Sequence, residues 1–110
     1  MRTVDKKELI NRYKKRVQTG GVFAIKNNAL NKWYIDCADD LKAAENRFNF
    51  MGDSYMKISA DYKSQKGEDF VFDVLEELQK GDTQTAAEFK EDLVILKAIW
   101  LDKLTGQKLY

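Results

Sequence analysis

The chain has 110 residues, of which 44% are hydrophobic and 34% charged, with a formal net charge of +1. That size suits one domain with a real core, and the apolar content excludes a chain that is disordered over most of its length. A single cysteine, Cys37, leaves no partner for an internal disulfide, and the absence of histidine removes the commonest general base and every histidine-based triad or metal site.

In chain order, residues 4–17 are predicted to form a helix. Leu9, Tyr13 and Val17 recur at i, i+4 and i+8 with Ile10 beside them. The same stretch concentrates positive charge: Arg2, Lys6, Lys7, Arg12, Lys14, Lys15 and Arg16 stand against Asp5 and Glu8. Lys14, Lys15 and Arg16 are therefore the candidate phosphate contacts if nucleic acid is bound, with a solvated helix face as the alternative. Gly20-Gly21 ends the pattern.

A hairpin follows. Val22–Ile25 and Trp33–Cys37 are runs of strand formers, and Asn27–Asn31 between them supplies turn-tolerant asparagines. Asp39 or Asp40 is placed to cap a helix reaching Phe50, with Leu41, Ala44 and Phe48 as its stripe. After the loop Met51–Ser54, a helix is expected over Tyr55–Gln65, ended by Gly67, and a third strand over Phe70–Leu75. Thr83 or Thr85 would cap a last helix running to Leu104, whose stripe is Phe89, Leu93, Leu96, Trp100 and Leu104, with Val94, Ala98 and Leu101 beside it and Gly106 as its stop. The expected fold is α+β: a small three-stranded antiparallel sheet flanked by helices, with an added N-terminal helix. No apolar run approaches the ~18 residues of a membrane span and no apolar signal core opens the chain, so no membrane partner and a cytoplasmic location are expected.

Gly21-Val22-Phe23, then Trp33-Tyr34-Ile35-Asp36, then Asp40-Leu41 resembles the motif series of the GIY-YIG endonuclease family. The segment Lys66–Glu76 is similar to that family's later Gly-Glu-Glu-Asn-Phe strand region, and Trp100–Leu104 to its terminal helix. The resemblance covers residues 20–104, which it marks as a family-like core, with 1–19 as a helical extension and 1–110 as a single domain. It implies a metal-dependent phosphodiesterase in which the two strand-motif tyrosines lie beside the reacting water. An arginine and a histidine on the next helix act on the phosphate, and a glutamate on the last helix holds the metal.

Carried over position by position, the first tyrosine is Phe23, the second is Tyr34, the glycine after it is Asp36, the arginine is Ala44, the histidine is Phe48 and the metal glutamate is Lys97. Among these functional positions Tyr34 alone keeps the family residue. The set implies a catalytically inactive nuclease-like domain that serves as a binding or interaction module, with no cofactor. Two alternatives stay open. One is an endonuclease with a rearranged active site, in which Tyr34 and Arg47 act with Mg or Mn and Asp36, Glu91 or Asp92 supplies carboxylate. The other is a structural or oligomeric interaction protein. Partners on these readings are nucleic acid, bound weakly and without sequence preference, or a protein partner or second copy.

Overall fold

The computed structural model describes residues 19–110. The expected helix over 4–17 and the candidate contacts Lys14, Lys15 and Arg16 lie outside the described residues. Within them, the elements are β1 (Thr19–Asn27), β2 (Lys32–Ala38), α1 (Leu41–Met51), a 3₁₀ turn (Gly52–Ser54), α2 (Ser59–Ser64), β3 (Phe70–Gln79), α3 (Ala86–Lys103) and β4 (Lys108–Leu109).

The fold is α+β, but its sheet is not three-stranded and antiparallel. It has four strands in the order β3-β1-β2-β4 and is mixed. β1 pairs antiparallel with both β2 and β3, whereas β4 runs parallel to β2 through Lys32–Lys108 and Trp33–Leu109. Two residues after Gly106 carry too little pattern to announce a strand. They pair because α3 returns the chain to the free edge of β2, where the Tyr110 amide donates to the Trp33 carbonyl at 2.8 Å. The folded unit thus extends beyond Leu104 to the last residue, and Thr19 belongs to β1 rather than to an extension.

β1 lies inside the sheet and is covered on both faces, which is why Val22-Phe23-Ala24-Ile25 is a continuous apolar run rather than an alternating one. Phe23 and Ile25 face a core formed with Leu41 and Phe48 of α1, Tyr55 and Ile58 of the following turn, and Phe70. Val22 and Ala24 face the opposite core, where Ile35, Leu96, Trp100 and Leu104 meet. The sheet is therefore sandwiched between α1 with α2 on one side and α3 on the other.

Two caps fix helix starts that the sequence left between alternatives. Asp40 accepts from the Ala43 amide at 3.1 Å, and Thr85 forms a reciprocal capping box with Glu88. Helix α2 is shorter than expected, because Tyr55 turns into the core and bonds the Ala44 carbonyl instead of starting a helix. Its end is sealed by Gly67 at φ 71°, whose amide bonds back to the Tyr62 carbonyl.

β3 runs on to Gln79, past the expected end at Leu75, through a bulge. Phe23 pairs with Val74 while Val22 pairs with Glu76, so Leu75 is the extra residue. Gly21 lies against this bulge, and a Cβ there would collide with the Glu76 carbonyl oxygen.

Candidate functional site

The site grows from β2. Cross-strand register sets Asp36 opposite Phe23 and Tyr34 opposite Ile25, so all four face α1. The Tyr34 hydroxyl donates to Asp36 Oδ2 at 2.7 Å, and Asp36 Oδ1 accepts from the Cys37 amide at 2.8 Å. Beyond its short pairing with β4, the outer edge of β2 carries no further strand among the described residues. Lys97 of α3 reaches Asp36 there, placing its ammonium 3.3 Å from Oδ1. Asp36 thus takes a phenol, a backbone amide and an ammonium at once.

On the facing side α1 contributes Ala44 and Arg47. Arg47 does not reach toward Asp36. Its guanidinium donates to the Ser54 hydroxyl at 2.8 Å and the Ser54 carbonyl at 3.0 Å, and it lies over the Tyr55 ring at 4.2 Å. Between α1 and β2 is a cleft of about 250 Å³, floored by Phe23, Ala44 and Tyr55 and rimmed by Asp36, Asp39, Asp40 and Arg47.

The electrostatics favour neutral tyrosines. Burial, then the hydrogen bond and charge of Asp36, push the Tyr34 pKa well above the usual phenol value, against a smaller lowering by Arg47. Burial likewise raises Tyr55. The Cys37 thiol is raised by burial and by Asp36, with Lys97 opposing, so the thiolate is disfavoured.

Of the positions singled out in the sequence, Phe23, Asp36, Ala44 and Arg47 line this cleft, while Tyr34 and Lys97 meet it only through their contacts with Asp36. Phe48 sits deeper, packed against Tyr62 and Phe72 with ring centroids 6.2 and 5.9 Å away. Glu91 and Asp92, the other carboxylates considered, lie on the exposed side of α3: Glu91 lines a surface hollow with Val94 and Ile95, and Asp92 accepts from Gln84. Among the described residues no group of three His, Cys, Asp or Glu side chains is placed to hold a metal ion.

Sequence reasoning missed Tyr55 as a wall of the cleft. Its apolar spacing with Ile58 and Tyr62 marked it as a helix-stripe residue, and no local signal distinguishes the two roles. No helix among the described residues is long and apolar enough to cross a membrane. No protein-family model, curated protein or solved structure matches the chain.

Proposed function

We propose that this chain is a GIY-YIG-like domain that does not cleave nucleic acid and serves as a binding or interaction module. The observation that carries the reading is the Lys97–Asp36 ion pair beside Tyr34. Phosphodiester hydrolysis by a metal route needs a cation at the phosphate and a base for the water. At the position where the resemblance asks for a metal-binding carboxylate, Lys97 brings a positive charge that repels a divalent ion. Tyr34 is a poor base: its hydroxyl donates a hydrogen bond to Asp36, and burial and that carboxylate both oppose phenolate formation. Arg47 is committed to Ser54 and Tyr55.

The order hairpin, helix, strand and closing helix supports the family resemblance. Of the carboxylates the rearranged-site alternative would use, Asp36 lines the cleft but is paired with Lys97, while Glu91 and Asp92 lie on the exposed side of α3, and Arg47 is bonded to Ser54. The cleft rim, with three aspartates and one arginine, suits a protein partner better than a phosphate backbone.

The test is incubation of the full chain with plasmid and single-stranded nucleic acid in Mg or Mn. No cleavage is expected, and calorimetry should detect no Mn binding at the cleft. Metal-dependent nicking abolished by Tyr34→Phe would overturn the proposal in favour of an active enzyme.

A further inference from the structure

Helix α3 is apolar on two sides. Its inner side, with Phe89, Leu93, Leu96 and Trp100, turns toward the sheet. Its outer side carries Val94, Ile95 and Ile99, which are 53%, 58% and 46% exposed, with the exposed Ala87 and Ala98 among them. Single exposed aliphatics need no explanation, but a contiguous strip of them marks a contact surface. A helix that is apolar all round is ordinarily buried all round.

The relief of this outer side fits a helix. One hollow is lined by Ala87, Lys90, Glu91 and Val94, with Ile95 at its end. The first four stand at i, i+3, i+4 and i+7, the diamond that receives one side chain of a facing helix in knobs-into-holes packing. The next diamond, Glu91, Val94, Ile95 and Ala98, is displaced by four positions, and the projecting Ile95 and Ile99 are also four apart. Run antiparallel, α3 therefore matches a second α3. Ile99 of one copy meets the first diamond of the other, and Ile95 meets the second. Each diamond has an alanine at one end, Ala87 or Ala98, which leaves room for a branched knob. A surface that carries both the knobs and the holes is self-complementary, as a two-fold interface requires.

The charges agree with this alignment. It brings Lys103 of each copy toward Glu88 of the other, and both residues are exposed. It also sets Asp102 against the first turn of the opposing helix, where the free amides carry partial positive charge. Glu91, the charged residue inside the strip, falls opposite Ala98, whose small side chain leaves the carboxylate a way to water. The whole chain has a net charge of +1, so two copies do not repel through net charge.

We propose that the outer side of α3 is the interface of a two-fold dimer, in which two α3 helices pack antiparallel about Ile95. α3 covers the sheet face opposite α1, so this inference does not rest on the reading of the cleft.

Sedimentation velocity on the full chain at rising concentration tests it. A reversible dimer is expected, weakened roughly tenfold or more by Ile95→Glu, which would bury two unpaired carboxylates near the axis, with circular dichroism unchanged. A chain that stays monomeric throughout, or a dimer that Ile95→Glu leaves intact, overturns the proposal. Should that variant fail to fold, cross-linking in a Cys37→Ser background decides. Ile95→Cys should give a disulfide-linked dimer under mild oxidation. Ala87→Cys should not, because antiparallel pairing separates it from its mate by about 23 Å at ~1.5 Å per residue, and neither should Ala60→Cys on α2. Equal linking at positions 87 and 95, or none at 95, overturns the proposal.

Discussion

Asp36 shows how one side chain redirects a site. With Asp36→Asn the hydrogen bond loses its charge and the nearby negative charge disappears, so Tyr34 should titrate at lower pH than in the parent while burial still holds it above the ordinary phenol value. Ultraviolet titration of the tyrosines measures this. The same group sets an alkaline limit. Tyr34, Tyr55 and Tyr110 all have raised folded values, led in each case by burial. Their contribution is intact below the unfolded tyrosine value of 10.0 and is lost as pH rises through the folded ones, because the unfolded chain ionises first. Denaturant midpoints should therefore fall above about pH 10, and less steeply in Tyr34→Phe. Phe48 tests the apolar floor. It is 8% exposed, and Phe48→Ala should cost about 3–5 kcal/mol by denaturant unfolding through transfer and cavity terms. A loss below about 1 kcal/mol would show that the ring does not pack as described.

Helix starts and the bulge carry the predictions at the scale of the element. Thr85 satisfies the Glu88 amide at 3.1 Å while Glu88 Oε1 accepts from the Thr85 amide at 2.9 Å. Thr85→Ala should cost about 1 kcal/mol of stability, and Thr85→Ser should restore most of it. Gly21 has a different reason to be glycine. Its partner strand comes too close at the bulge for any Cβ, so Gly21→Ala should displace β3 at Glu76 and cost about 1–3 kcal/mol, the range for overpacking.

Across the whole molecule, charge is divided between a basic leading segment and an acidic remainder. Long-range attraction for nucleic acid is accordingly small. If duplex DNA is bound at all, the binding should be weak and indifferent to sequence, with a log–log salt slope of about −2.7 for Lys14, Lys15 and Arg16 each meeting one phosphate. Anisotropy titration at several salt concentrations measures it, and the triple alanine variant should abolish the binding. Binding unchanged in that variant would remove these residues from the interface. The Lys97–Asp36 pair contributes little to global stability, since both partners are about one-third exposed. On the function proposed above its weight is chemical, since the positive charge of Lys97 disfavours a divalent ion there.

Local patterns in the sequence determined the elements that depend on neighbours along the chain. The hairpin strands, the α1 stripe of Leu41, Ala44 and Phe48, and the caps among two candidates each follow from side-chain spacing and hydrogen bonds to amides three residues away. Val94 and Ala98 were expected beside the buried stripe of α3, yet both are exposed, because periodicity places an apolar residue on a helix without saying how much of its circumference a neighbour covers. Tertiary structure alone decided β4, the extension of β3 through its bulge, and the role of Asn27. That residue was legible only as a turn former. It is fully buried, holds the Ala29 amide, exchanges amide bonds with Gln65 and donates to the Tyr110 hydroxyl 83 positions away. The cleft followed the same division. The residue types at Phe23, Tyr34, Ala44 and Lys97 were visible in the sequence, but the meeting of Lys97 with Asp36 across 61 positions required the packed sheet, because no spacing along the chain encodes which edge a helix returns to.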